Sequence, residues 1–203
     1  VGCVVLAYSS HHCSFFLTSK GGSMNKESTD IIIRNVRDED MPTIQQIYAL
    51  QVLHGVSSWE EEPPSLAEMI CRRDAATQAG YPYRVAVRGD DVLGYSYVSA
   101  YRSRPAYRYT VENSIYVADA AQRMGLGKRL LEDLVVLCTA LDFRQMIAVV
   151  GDSENFMSID FHKNMGFQQV GIIKSIGYKF GRWMDSVVLQ LQLGDGDTTL
   201  PGA

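Results

Sequence analysis

A chain of 203 residues that is 46% hydrophobic carries enough apolar side chains for one buried core, and a second full domain is not expected. Its formal net charge of -4 lacks the broad positive field that nucleic-acid binding relies on, so DNA and RNA are not expected partners. The four cysteines, Cys3, Cys13, Cys71 and Cys138, stand far apart with no CxxC pair, which signals neither a disulfide framework nor a zinc site and suits a reducing cytoplasm.

Residues 1–23 form two short apolar runs, too short to span a bilayer, and lack the basic start and long apolar core of a targeting peptide. They read as an extension ahead of Met24, with no membrane partner expected. His11, His12, Cys3 and Cys13 are too irregularly spaced to predict a metal site. From Ile31 the pattern becomes regular: IIIRNV reads as a strand, and Asp40 with Pro42 opens a helix through TIQQIYALQVL. After the charged break EEEPP, Ser65 and Glu68 have the spacing of a capping box and start a second helix that ends near Gly80. YRVAVRGDDVLGYSYVSAYR gives two strands around a Gly89-Asp90-Asp91 turn, and RYTVENSIYVA gives a third, so three adjacent antiparallel strands are expected. The run GLGKRLLEDLVVLCTAL is helical, QMIAVVG is a short apolar strand, FMSIDFHKNM is a helix, and the rest to Leu193 is rich in strand. The expected organisation is a flexible extension over 1–29, one mixed α/β domain over 30–193, and a flexible tail over 194–203.

The glycines before the third helix bring backbone N–H groups to a helix N-terminus, where an anion is favoured. A Walker loop is excluded because Lys128 is followed by Arg129 and no glycine stands at the earlier required place. A dinucleotide fingerprint is excluded because Leu130 occupies the third glycine position. Leu126, Leu130, Leu134, Leu137, Cys138 and Leu141 form the core stripe of this helix, which makes Cys138 a packing residue rather than a nucleophile. Lys128 and Arg129 lie in its first turn, where cations oppose the dipole unless an anionic ligand is close.

The run QRMGLG, Gln122 to Gly127, resembles the Q/R-x-x-G-x-G/A pyrophosphate loop of the GNAT acetyltransferase superfamily. EPPS (62–65), SRPAYRYTVENSIYV (103–117), QMIAVVGDSEN (145–155), HKNMGF (162–167) and KFGRW (179–183) extend the likeness, from about Ile31 to Leu193, to the phosphinothricin and methionine sulfoximine acetyltransferases within it. The resemblance implies an α+β GNAT fold, a mixed central sheet with helices on both faces. It also implies a homodimer and transfer of acetyl from acetyl-CoA to the α-amine of a small amino acid by direct attack in a ternary complex, without a metal. A polyamine or a peptide terminus is the alternative acceptor, and a non-catalytic acyl-CoA sensor is the rival from another class.

Amine acetylation requires a neutral nucleophile and hence a base. By period two, Glu112, Ser114 and Tyr116 share one strand face and Val111, Ile115 and Val117 the other. Resemblance makes Glu112 the general base. It assigns cofactor binding to the backbone of Ile115 and Val117, to Gln122, Arg123, Met124, Gly125, Leu126, Gly127 and Lys128, and to Asn155 and Ser158. His162 stands where many GNAT enzymes carry a tyrosine acid, and an imidazole of ordinary pKa could donate that proton. Arg104 suits a substrate carboxylate, with Tyr107 and Trp59 as aromatic walls.

Overall fold

The computed structural model describes residues 30–202, and the readings of a targeting segment, an extension and a histidine–cysteine cluster before residue 30 lie outside them. Seven strands form one mixed sheet: β1 (Ile32–Asn35), β2 (Tyr83–Arg88), β3 (Asp91–Ala100), β4 (Thr110–Val117), β5 (Gln145–Gly151), β6 (Gln168–Lys179) and β7 (Arg182–Gln192), in the order β1-β2-β3-β4-β5-β7-β6. Four helices cover it: α1 (Met41–His54), α2 (Leu66–Gln78), α3 (Leu126–Ala140) and α4 (Phe156–Asn164).

Two apolar layers follow from the alternation of the strands. Val111, Ile115 and Val117 of β4 pack with Leu126, Leu130, Leu131, Leu134 and Cys138 of α3 and Ile159 of α4. Tyr116, Tyr95, Tyr83 and Val85 pack on the opposite face with Met41, Ile44, Tyr48 and Val52 of α1 and Met69 of α2. The α3 stripe therefore runs through Leu131, while Leu141, expected on it, is 52% exposed just past the last turn. Burial pushes the Cys138 thiol up to about 12, so it stays a neutral packing group.

Helix starts are settled by local chemistry. Ser65 caps α2, its hydroxyl accepting from the Glu68 N–H at 3.2 Å, while the Glu68 carboxylate turns to Arg72 at 2.9 Å. Asp40 precedes α1 but its side chain does not cap that helix. Instead its buried carboxylate accepts from Arg34 at 2.7 and 2.8 Å and from the Arg37 N–H at 2.7 Å. Burial alone would raise its pKa; these donors outweigh that and hold it below the usual carboxylate range.

One irregularity of the sheet decides where a ligand can enter. The parallel strands β4 and β5 pair only through Thr110, Val111 and Glu112 against Gln145, Met146 and Ile147. Beyond this, β4 continues beside β3 to Val117, whereas Ala148–Gly151 of β5 pair with β7 alone. The sheet thus forks just after Glu112. Past β7, Arg144 donates to Thr199 Oγ1 at 2.8 Å and to the Leu200 carbonyl at 3.2 Å, which places the C-terminal turns against the β5 end of the domain.

Candidate functional site

Backbone directions in the fork follow from two hydrogen bonds. Tyr101 N–H donates to Thr110 O at 3.3 Å and Ala118 N–H donates to Leu93 O at 2.9 Å, so even-numbered residues of β4 face β3 through their backbone groups. By alternation, the N–H and C=O groups of Asn113, Ile115 and Val117 point away from β3, into the opening that β5 leaves. The expected backbone roles of Ile115 and Val117 fall on this free edge.

At the mouth of the fork lies a cavity of about 270 Å³ lined by Val117, Ala121, Arg123, Gly125, Leu126, Gly127, Lys128 and Phe161. The chain turns into α3 through Arg123 at φ 63° and Gly125 at φ 73°, and the N-cap residue, Gly125, has no side chain to cap the helix. Alternating left-handed residues leading into an uncapped helix start aim successive N–H groups outward, the geometry that holds a phosphate. A Cβ built on Gly125 would meet nothing within 4 Å, so glycine is needed there for its backbone angle rather than for space. Gln122 is tied to the preceding turn by its bond to Asp119 at 2.9 Å. Met124 is exposed and lies 3.9 Å from Arg88. Lys128 is solvent-facing, 3.8 Å from Glu132.

Glu112 stands at the last position of β4 that pairs with β5 and is only 8% exposed. Its side chain belongs to the α1/α2 face. Ser99 is its direct neighbour on β3, and Ser114, one step along, sits opposite Tyr97. Beside them a second cavity, of about 450 Å³, is walled by Tyr48, Tyr81, Tyr83, Tyr97, Met69 and Ser99, with Arg72 at its rim. Tyr83 and Tyr97 stack at 5.0 Å, and the Tyr48 hydroxyl, pushed up to about 12 mainly by burial, bonds Ser58 at 3.0 Å and Glu60 at 3.1 Å. Sequence reading missed this aromatic wall. The signal was present: β3 and β4 are consecutive antiparallel strands, so Tyr95, Tyr97 and Ser99 had to share the face of Glu112 once the register was known.

The other predicted residues fall into three groups. Asn155 caps α4, its Oδ1 accepting from Ser158 N–H at 3.2 Å, and Ser158 is buried. His162 lies on the opposite side of the sheet from Glu112 and is 0% exposed. Its Nδ1–H donates to the Ser158 carbonyl at 2.8 Å, and its Nε2 accepts from Asn113 Nδ2 at 3.2 Å. Burial lowers its pKa to about 4, so the ring is neutral at pH 7, and in that state Nε2 carries no proton. Arg104 and Tyr107 lie in the exposed loop between β3 and β4; Tyr107 meets Tyr101 edge-on at 5.9 Å, with Arg102 over both rings. Trp59 is half-buried with its ring against Gly151 of β5 and Gly177 of β6, where a Cβ on Gly177 would collide with it. Next to it, Lys179 donates to the Ser58 carbonyl at 2.7 Å and to that of Gly55 at 3.3 Å, fastening the α1–α2 connection to β6.

The sheet forks beside a phosphate-type loop, and the acetyltransferase (GNAT) domain family matches residues 33–188. The chain belongs to the GNAT acetyltransferases. This GNAT domain is 48% identical over 169 residues to the phosphinothricin N-acetyltransferase of Alcaligenes faecalis, covering 83% of this chain and 86% of that protein. It is 37% identical to the L-methionine sulfoximine/L-methionine sulfone acetyltransferase of Pseudomonas paraeruginosa, over 79% of this chain and 94% of that protein. Among solved structures, the phosphinothricin acetyltransferase of Sinorhizobium meliloti in complex with acetyl-CoA superposes with a TM-score of 0.81 at 47% identity, covering 84% of this chain and 92% of that one. The GNAT fold expected from the sequence, a mixed sheet with helices on both faces, is what the chain adopts. The features present fit acetyl-CoA: an open strand edge for its amide-bearing arm, and uncapped amides at a glycine turn for its pyrophosphate.

Proposed function

We propose that the protein transfers acetyl from acetyl-CoA to the α-amine of a small amino acid of the phosphinothricin and methionine sulfoximine class. The observation that carries this reading is the position of Glu112, a buried carboxylate at the fork, beside an aromatic cavity on one side and the open edge of β4 on the other. Names of the relatives support the acceptor class. Bound acetyl-CoA would supply an activated thioester; the chain's own residues do the rest. Amides of residues 122–128 hold its phosphates, and backbone groups of Ile115 and Val117 align its arm, the Val117 N–H serving as oxyanion donor. Glu112 takes a proton from the acceptor ammonium, directly or through water, so that a neutral amine attacks the thioester carbon in the ternary complex; the C–S bond breaks to release CoA as its thiolate, and the second amine proton passes to that sulfur through solvent. Arg104 and Tyr107 approach the acceptor from their loop, whose closing bond lies two residues from Glu112. As placed, His162 can act as an acid only after its ring is protonated and parted from Asn113, and we assign it to the frame of the site.

We further propose a homodimer. Support comes from the outer hairpin, where Ile172, Ile173, Ile176, Tyr178 and Trp183 on adjoining strands and Phe180 in the turn between them are each 41–64% exposed. A cytoplasmic location is supported by the free thiols of Cys71 and Cys138 and by the need for acetyl-CoA. Among the described residues no helix is long and apolar enough to cross a membrane, and no group of three metal-ligating side chains occurs.

The test is thiol release from acetyl-CoA by the purified protein with phosphinothricin, methionine sulfoximine, methionine sulfone, ordinary amino acids, spermidine and a short peptide. Turnover confined to the first three supports the reading. Turnover with spermidine or the peptide alone moves the acceptor class, and acetyl-CoA binding without turnover on any of them overturns the enzyme reading.

A further inference from the structure

We infer that Asn113 is a cofactor-positioning residue: its side-chain oxygen accepts a hydrogen bond from the amide N–H of the acetyl-CoA arm nearest the thioester. The inference rests on the proposed use of the fork by acetyl-CoA. Asn113 is the first residue of β4 beyond its pairing with β5, so its backbone already faces the opening. Its side chain takes the α3/α4 side, the same side as Phe161, which lines the cavity at the mouth of the fork.

The identity of the free atom follows from the histidine. A carbonyl oxygen can only accept, so the 2.8 Å contact between His162 Nδ1 and Ser158 O requires the proton on Nδ1. Nε2 of the neutral ring is then an acceptor, and the group 3.2 Å away must be the Asn113 NH₂. Its Oδ1 is thereby turned elsewhere. That oxygen is buried, on a residue 1% exposed, and has no hydrogen-bond partner among the described residues. A buried amide oxygen left unpaired is destabilising, and retention of such a group beside a ligand channel calls for a donor that arrives with the ligand. The arm of coenzyme A carries amide N–H groups along its length; the acceptor amine lies across the sheet with Glu112 and cannot meet this atom. His162 thus serves by fixing which end of the Asn113 amide is offered.

The test is equilibrium binding by calorimetry of acetyl-CoA and of adenosine 3′,5′-bisphosphate, a nucleotide fragment of the cofactor that lacks the arm, to the wild type, Asn113→Ala and Asn113→Leu. Leucine fills the space that alanine leaves, which separates a lost hydrogen bond from a packing defect. The inference expects both variants to bind acetyl-CoA about 3- to 10-fold more weakly, the worth of one buried hydrogen bond, with the nucleotide fragment bound as before. The KM for acetyl-CoA should rise in step and that for the amino acid should not. Unchanged acetyl-CoA affinity in either variant overturns the inference while leaving the proposed function intact. Equal weakening of both ligands also overturns it, since the residue would then be merely structural. A wild type that does not bind acetyl-CoA at all removes the proposed function and this inference together.

Discussion

Glu112 and His162 are both ionisable, both nearly sealed from water, and separated by one sheet, yet their surroundings give them different work. Glu112 faces tyrosines and serines beside an open cavity, where a proton can be passed to and from an incoming amine. Replacing it by glutamine keeps the shape and removes the proposed base, so kcat at pH 7 should fall by about 10²- to 10⁴-fold with acetyl-CoA affinity unchanged. Steady-state kinetics paired with calorimetry checks this, and near-normal turnover would place the base elsewhere. Arg104→Ala should raise the amino-acid KM and leave that for acetyl-CoA alone, through loss of a carboxylate partner. His162 makes a prediction about stability rather than rate. Its folded pKa near 4 lies below the unfolded value of 6.5, so between these the unfolded chain binds more protons. Its contribution is fully present above pH 6.5 and is lost as pH falls toward 4, by roughly 3 kcal/mol in total. Urea melts of wild type and His162→Gln across pH 7 to 4 should show a shallower decline in the variant; parallel declines would mean that the ring is not held neutral.

At the scale of elements, the turn into α3 is where conformation and binding meet. Gly125 at φ 73° has open space where a Cβ would go, so Gly125→Ala carries backbone strain without a clash and should lower stability by about 1 to 2 kcal/mol. Asparagine tolerates this region better than alanine and should cost less. A thermal melt ranking glycine above asparagine above alanine, with acetyl-CoA affinity falling in the same order, is the expected result; an alanine variant as stable as wild type would show that the turn relaxes to another shape. The hairpins and helices were legible because their signals are local: GDD between alternating runs, Ser65 three residues before Glu68, glycines before an apolar stripe. Asp40 shows the limit of such signals. Its position before a helix predicts a cap, but Arg34, on the preceding strand, takes the carboxylate with two hydrogen bonds, and no spacing rule weighs that competition.

For the molecule as a whole, the outer hairpin is the feature least explained by a lone chain. Its exposed isoleucines and aromatics lie on the edge strand β6, its partner β7 and the turn between them, where an uncovered apolar face invites pairing. Sedimentation of the wild type should show a dimer, and Ile176→Asp combined with Trp183→Lys should yield a folded monomer; a monomeric wild type would send these side chains to another partner.

Sequence by itself determined the run of strands and helices, because periodicity and turn chemistry are properties of neighbours along the chain, and its resemblance to the GNAT family put forward the loop at Gln122–Gly127 and Glu112 as candidates. Tertiary structure alone decided the fork after Glu112, the tyrosine wall beside it, the engagement of both His162 nitrogens and the unpaired oxygen of Asn113. Apart from the His162 contact to Ser158 within its own helix, these depend on residues well separated in sequence, 113 with 162 and 97 with 114, brought together by strand register and helix docking. That register is set by which faces the whole sheet must bury, a constraint no local window of sequence contains.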